Sequence, residues 1–183
     1  MRECFLTETQ MQLLETLRQF GALREDQLEW LYRLVEPGAK RELSSVMGQL
    51  AYLSKARREG SYWCAAWRTP EPRMTDAFDI MRLLCGERLP QFVTSRGPCT
   101  LTFTLPDGQT PIRCFRLYFA KPGEEMKICA EAAAAPPGHT PLFAVESIEQ
   151  AGALICGRPC FIVLKENGSF SFFQGTTEKG KEE

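Results

Sequence analysis

Apolar residues recur at helical spacing three times before residue 54. In TETQMQLLETLRQFG, Leu13, Leu14, Leu17 and Phe20 share one face. Thr7 and Gln10 stand at capping-box spacing and Gly21 supplies a stop, so a helix is predicted between them. In LREDQLEWLYRLV the stripe is Leu28, Leu31, Tyr32 and Val35, ended by Pro37-Gly38. In AKRELSSVMGQLAYLS it is Leu43, Val46, Met47, Leu50 and Leu53. The period then shortens, and KAR and YWCAAW read as two strands around a REGS turn.

RTPEPR, Arg68 to Arg73, carries two prolines and alternating charge and reads as a boundary. The next helix, MTDAFDIMRLLCG, is expected to be capped by Thr75, with Asp76 and Asp79 near its positive end and Gly86 as stop. Beyond it CTLTFTL and IRCFRLYFA alternate as strands joined by a PDGQ turn. MKICAEA reads as a further strand, AAAAPPGHTP as a loop and LFAVES as a short strand. SIEQAGALICG is a helix capped by Ser147, and CFIVLKENGSFSFFQ a hairpin turning at ENGS. The division expected is residues 1–70, a sheet domain at 74–175 and a disordered polar tail at 176–183. The fold class expected is α+β.

Composition narrows the function classes. Of 183 residues, 44% are hydrophobic and 25% charged, enough to bury a core, and no apolar run is long enough for a membrane span. A cytosolic location is expected. The net charge of -1 gives no global attraction for polyanions, so a basic surface has to be local. It is: residues 1–36 hold four basic and seven acidic side chains, whereas residues 37–68 hold six basic and two acidic. Eight cysteines contain no CxxC pair, the nearest approach being Cys156 and Cys160, and His139 is the one histidine. That spacing argues for reduced, mostly buried thiols and against a zinc site or any cofactor.

Three helices followed by a hairpin is the order of a winged helix-turn-helix domain. In that reading the third helix turns Arg41, Ser45, Gly48 and Tyr52 away from its apolar stripe, flanked by Lys40 and Ser44, with no exposed acid. The residues expected to bind double-stranded DNA are Lys40, Arg41, Ser44, Ser45 and Tyr52 in the major groove. Lys55, Arg57 and Arg58 would take phosphates from the wing. The bland alternative is a solvated helix face, or a fold of this kind used only for protein contacts.

The second half holds one pattern of chemistry-bearing residues. Pro106-Asp107 followed by Glu125-Met126-Lys127 has the letters of a metal-dependent nuclease, whose carboxylates hold Mg²⁺ while lysine assists a water. The context argues otherwise: Asp107 lies in a turn, and Glu125 starts a strand instead of sitting inside one. Glu146 and Glu149 flank a helix start, where capping explains them. No catalytic residue is therefore assigned.

The stretches LTETQMQLLETLRQFGALREDQLEWLYR and KRELSSVMGQLAYLSKARREG resemble the N-terminal winged helix of the replication-relaxation proteins of Gram-positive plasmids and integrative elements. The ending PLFAVESIEQAGALICGRPCFIVLKENGSFSFF is similar to small Firmicutes proteins of the same two-part plan. The resemblance implies a winged helix fused to a degenerate restriction-endonuclease-like sheet domain. It also implies a non-catalytic DNA-binding role in replication or transcriptional control of a mobile element. The sheet domain would then serve a homodimer or a protein partner.

Overall fold

The computed structural model describes residues 6–105 and 113–175. The chain divides into two compact units, Met1–Leu89 and Pro90–Glu183. Among the described residues the protein is a mixed α+β chain: helices with a small three-stranded antiparallel sheet, then a six-stranded mixed sheet with helices between its strands. No helix among them is long and apolar enough to cross a membrane.

The first unit runs α1 (Glu8–Phe20), β1 (Ala22–Arg24), α2 (Glu25–Val35), α3 (Leu43–Tyr52), β2 (Ala56–Glu59), β3 (Tyr62–Ala65) and α4 (Pro72–Cys85). The capping box forms as the sequence predicts. Thr7 Oγ1 accepts from the Gln10 amide at 3.2 Å, and Gln10 Oε1 accepts from the Thr7 amide at 3.0 Å. Gly21 ends α1 at φ 84°, a left-handed value that favours glycine. The next three residues form β1, so Leu23 and Arg24, expected to open the second helix, lie in a strand instead. β1 pairs with β3, so the sheet order is β1-β3-β2. The β2–β3 turn places Gly60 at φ 59° in the first loop position, as a tight primed hairpin requires. Leu13, Leu17, Leu28, Leu31, Met47 and Leu50 meet in the core, all essentially without solvent.

The units divide at Leu89, beyond the expected boundary at 70–74, and α4 falls in the first unit. The Phe78 ring packs edge-on against Phe20 at 5.1 Å and Trp30 at 5.6 Å between centroids. The Trp30 indole donates to Gly86 O, and the buried Gln27 amide donates to Thr75 O. Thr75 does not cap: α4 begins at Pro72, and the Thr75 hydroxyl bonds back to Glu71 O. Asp79 is likewise no end-charge residue. It lies two turns inside α4, only 8% exposed, and accepts two hydrogen bonds from Arg24. Arg82 pairs with both Asp79 and Asp26. Burial works against the Arg24 charge, yet Asp26 and Asp79 raise its pKa above the ordinary value.

The second unit runs β4 (Gln91–Thr94), β5 (Cys99–Leu105), β6 (Arg113–Phe119), α5 (Glu125–Ala133), β7 (His139–Val145), α6 (Ile148–Ala153), β8 (Phe161–Glu166) and β9 (Ser169–Gln174). The strands lie side by side in chain order. β6, β7 and β8 are parallel, and the remaining pairs are antiparallel. The expected strand at MKICAEA is instead α5. Ile128, Cys129 and Ala132 are its buried positions, a helical spacing, and a parallel β6–β7 pair needs a long crossover. Their side chains pack on Tyr118, Phe143, Ile162 and Leu164 of the sheet, with Leu154, Cys156 and Cys160 beside them. Arg158 clips the end of α5, donating to the carbonyl oxygens of Ala132, Ala135 and His139. At the β8–β9 turn, Asn167 and Gly168 both have positive φ, the type I′ geometry that the Asn-Gly pair favours. The PDGQ turn and the expected disordered tail at 176–183 lie outside the described residues.

Candidate nucleic-acid interface

α3 presents Ser44, Ser45, Gly48 and Tyr52 on one exposed face, opposite the buried Leu43, Val46, Met47 and Leu50. No residue of this helix is charged. Gly48 is the informative position. A Cβ added there would meet nothing within 4 Å, and its φ is not left-handed, so neither packing nor backbone geometry demands a glycine. In a helix interior it costs about 0.5–1 kcal/mol relative to alanine. What it leaves is a smooth surface on the outward side.

Arg41 and Lys40 are not on that helix face. α3 begins at Leu43 with Glu42 as its N-cap, and the two basic residues precede it in the exposed turn after α2. Tyr32 fixes this turn by donating from Oη to Arg41 O at 3.0 Å. Burial first, then the neighbouring Glu36, raises the Tyr32 pKa, keeping the phenol a donor. The expectation that no acid is exposed here is corrected too. Glu42 accepts from Ser44 Oγ, and Arg41 borders an open cleft of about 670 Å³ whose lining includes Glu25, Glu29, Glu36 and Glu42.

The two hairpin arginines diverge, because neighbours in a strand point to opposite faces. Arg58 turns to its cross-strand partner Trp63, with its guanidinium 5.9 Å from the ring centroid, and pairs with Glu25 at 3.0 Å. Arg57 turns the other way, pairs with Glu59 at 2.6 Å and donates to Arg68 O at 2.9 Å. Lys55 sits at the base of the hairpin. Its amide donates to Leu50 O and its carbonyl accepts from Ala66, which joins the end of α3 to the end of β3. The structure therefore gathers Ser44, Ser45 and Tyr52 on α3, and Lys55 with Arg57 at the hairpin base. It separates Arg58 to the far face and Lys40 with Arg41 to the turn.

Two residues at the hairpin base were not singled out from the sequence. Trp67 and Arg68 follow β3, both exposed, Trp67 at 97%. Trp67 has φ 66° inside a turn closed by the Arg68 amide on Ala65 O. A left-handed backbone costs a bulky residue about 1–2 kcal/mol. The available signal was a large aromatic placed beyond the apolar run of β3, just before the prolines.

Only the Glu125-Met126-Lys127 part of the alternative metal site falls among the described residues. Asp107 lies outside the described residues. Glu125 opens helix α5 and not a strand, with its carboxylate accepting from the Gly123 amide at 3.0 Å. Backbone hydrogen bonds at that helix start hold its carboxyl below the usual range. Among the described residues no group of three His, Cys, Asp or Glu side chains is placed to share an ion. The seven cysteines among them are free thiols. Burial pushes Cys85 and Cys160 up to about 12 and Cys129 up to about 11.

Compared with known proteins, the chain matches no family model. A comparison with curated proteins finds no match either.

Proposed function

We propose that the first unit is a winged helix-turn-helix module that binds double-stranded DNA, with α3 in the major groove and the hairpin base on the flanking phosphates. The observation that carries this reading is the exposed face of α3: uncharged, carrying short polar side chains and a glycine nothing else requires, and followed in the chain by the exposed cations Arg57 and Arg68. A helix entering a groove meets base edges with short polar side chains while cations beside it replace condensed counterions. The β1-β3-β2 sheet beside three helices agrees with that module. Arg41 and Lys40 precede the other end of α3, where Arg41 borders the glutamate-lined cleft, and Arg58 stays with its own acid, Glu25. The second unit, which the family resemblance reads as a degenerate nuclease-like sheet, acts as a non-catalytic module for self-association or a protein partner. A role in replication or transcriptional control of a mobile element follows from that resemblance.

The test is an anisotropy titration of labelled duplex DNA at two salt concentrations. Wild-type affinity should fall as salt rises. In Arg57→Ala/Arg68→Ala the affinity should drop, and the salt slope should be shallower by about two if each arginine contacts one phosphate. Ser45→Glu should abolish binding by placing a carboxylate in the groove. Salt-independent affinity, or a Ser45→Glu protein that binds normally, would overturn the assignment and favour a protein-contact module.

A further inference from the structure

We infer that the hairpin base also holds unpaired bases, so that the preferred ligand is a DNA duplex continuing into a single strand. This rests on the DNA-binding reading above and names a narrower partner for the same surface. Two large aromatic residues stand almost fully in solvent, Trp67 at 97% and Tyr52 at 89%, on two segments joined by the backbone bond from Ala66 to Lys55. Tyr52 is the last residue of α3, and Trp67 follows Ala66, whose amide is bonded to Lys55 O. Neither ring contributes to the core of its unit.

The surroundings decide what such rings are suited to meet. Lys55 and Arg68 lie on the same two segments, and Arg57 donates to Arg68 O while paired with Glu59. The excess positive charge complements a phosphodiester chain. Arg57 is held against the Arg68 backbone at 2.9 Å, which sets a cation close to the Trp67 turn. The large exposed apolar side chains at this junction are both aromatic, and planar faces with cations alongside are the means by which proteins stack successive nucleobases. Bases inside an intact duplex are already stacked on one another and offer no free face. Unpaired nucleotides do, so a single-stranded extension beside the duplex held by α3 fits both halves of the surface.

The experiment measures anisotropy with three probes: a blunt duplex, the same duplex carrying a single-stranded thymidine tail, and the tailed duplex with an RNA tail. Wild-type protein should bind the DNA-tailed probe roughly tenfold more tightly than the blunt one. Trp67→Gly removes the ring while suiting the left-handed backbone, so it should keep the fold, seen by an unchanged melting curve. It should bring tailed affinity down to the blunt value. Equal wild-type affinity for blunt and tailed probes would overturn this inference and leave the duplex reading standing. So would a tail preference that survives Trp67→Gly. A preference for the RNA tail would overturn the choice of DNA. Failure to bind any probe would sink the DNA-binding reading and this inference with it.

Discussion

Replacing Gly48 separates what α3 needs for folding from what it needs for binding. Glycine in a helix interior forfeits about 0.5–1 kcal/mol relative to alanine, because its unfolded backbone has more freedom to lose. Gly48 lies in the middle of Leu43–Tyr52, its φ is not left-handed, and a Cβ there meets nothing within 4 Å. No clash offsets the gain. Gly48→Ala should therefore stabilise the protein by about 0.5–1 kcal/mol, a rise of about 1–4 °C in Tm for a chain of this size. A thermal melt followed by circular dichroism measures it. Binding should respond in the opposite sense. If α3 enters the groove as proposed, the bulkier Gly48→Leu should weaken duplex affinity by roughly tenfold, about 1.4 kcal/mol of obstruction. A Gly48→Ala protein that melts at or below the wild-type temperature refutes the open geometry of this face. A Gly48→Leu protein that binds duplex as tightly as wild type refutes the use of the face in recognition.

Four further outcomes can be measured. Asp79→Asn removes the carboxylate between Arg24 and Arg82 and should cost about 2 kcal/mol in a urea titration. That is less than the roughly 3–5 kcal/mol of a fully buried pair, since the two arginine side chains keep 30% and 27% exposure; no loss would mean that the aromatic packing of Phe78 alone holds α4. Asp26 titrates low: burial opposes its charge, but hydrogen bonds from Arg24 and Arg82 prevail. Its stabilisation is thus present above the unfolded carboxyl pKa of about 3.9 and lost as pH falls through the lower folded value. Asp26→Asn should flatten the decline of Tm in acid, and an unaltered slope would show that this carboxylate is not a source of it. A fragment of residues 1–89 should unfold cooperatively, whereas 1–70, lacking Phe78 and Asp79, should not; a cooperative melt of the shorter piece would restore the boundary at the proline linker. Gly175→Ala directs a Cβ into Cys160 Sγ and should cost about 1–3 kcal/mol, with Cys160→Ala in the same chain relieving most of it. A single variant of wild-type stability would refute the contact.

The helices of the first unit were legible because their stripes are long and their ends are marked. Leu13, Leu14, Leu17 and Phe20 lie between Thr7 and Gly21, and each signal is local. β1 was not, since Ala22–Arg24 is too short to alternate and becomes a strand only by pairing with β3. α5 was misread because its apolar positions, Ile128, Cys129 and Ala132, fit strand or helix over so short a run. The alanines that follow, with no branched side chains, were the better guide. The membership of α4 depended on Phe78 and Asp79 finding Phe20, Trp30 and Arg24, partners about fifty residues away that no local pattern reveals. At the candidate site, the α3 face followed from 100° periodicity. The divergence of Arg57 and Arg58 follows from strand alternation, a rule the sequence reading did not apply to them. Glu25 as the Arg58 partner is a tertiary fact.

The six-stranded sheet has a consequence for how the second unit comes into being. Every strand pairs only with its neighbours in order of synthesis, two for the inner strands and one for β4 and β9. No pairing has to wait for a remote segment, so loop-closure costs stay small and a chain leaving the ribosome can accrete the sheet in order of synthesis. The slowest steps should be the two parallel joins, which need α5 and α6 in place. Shortening the chain from its end should accordingly peel strands off one at a time, leaving a smaller sheet in register.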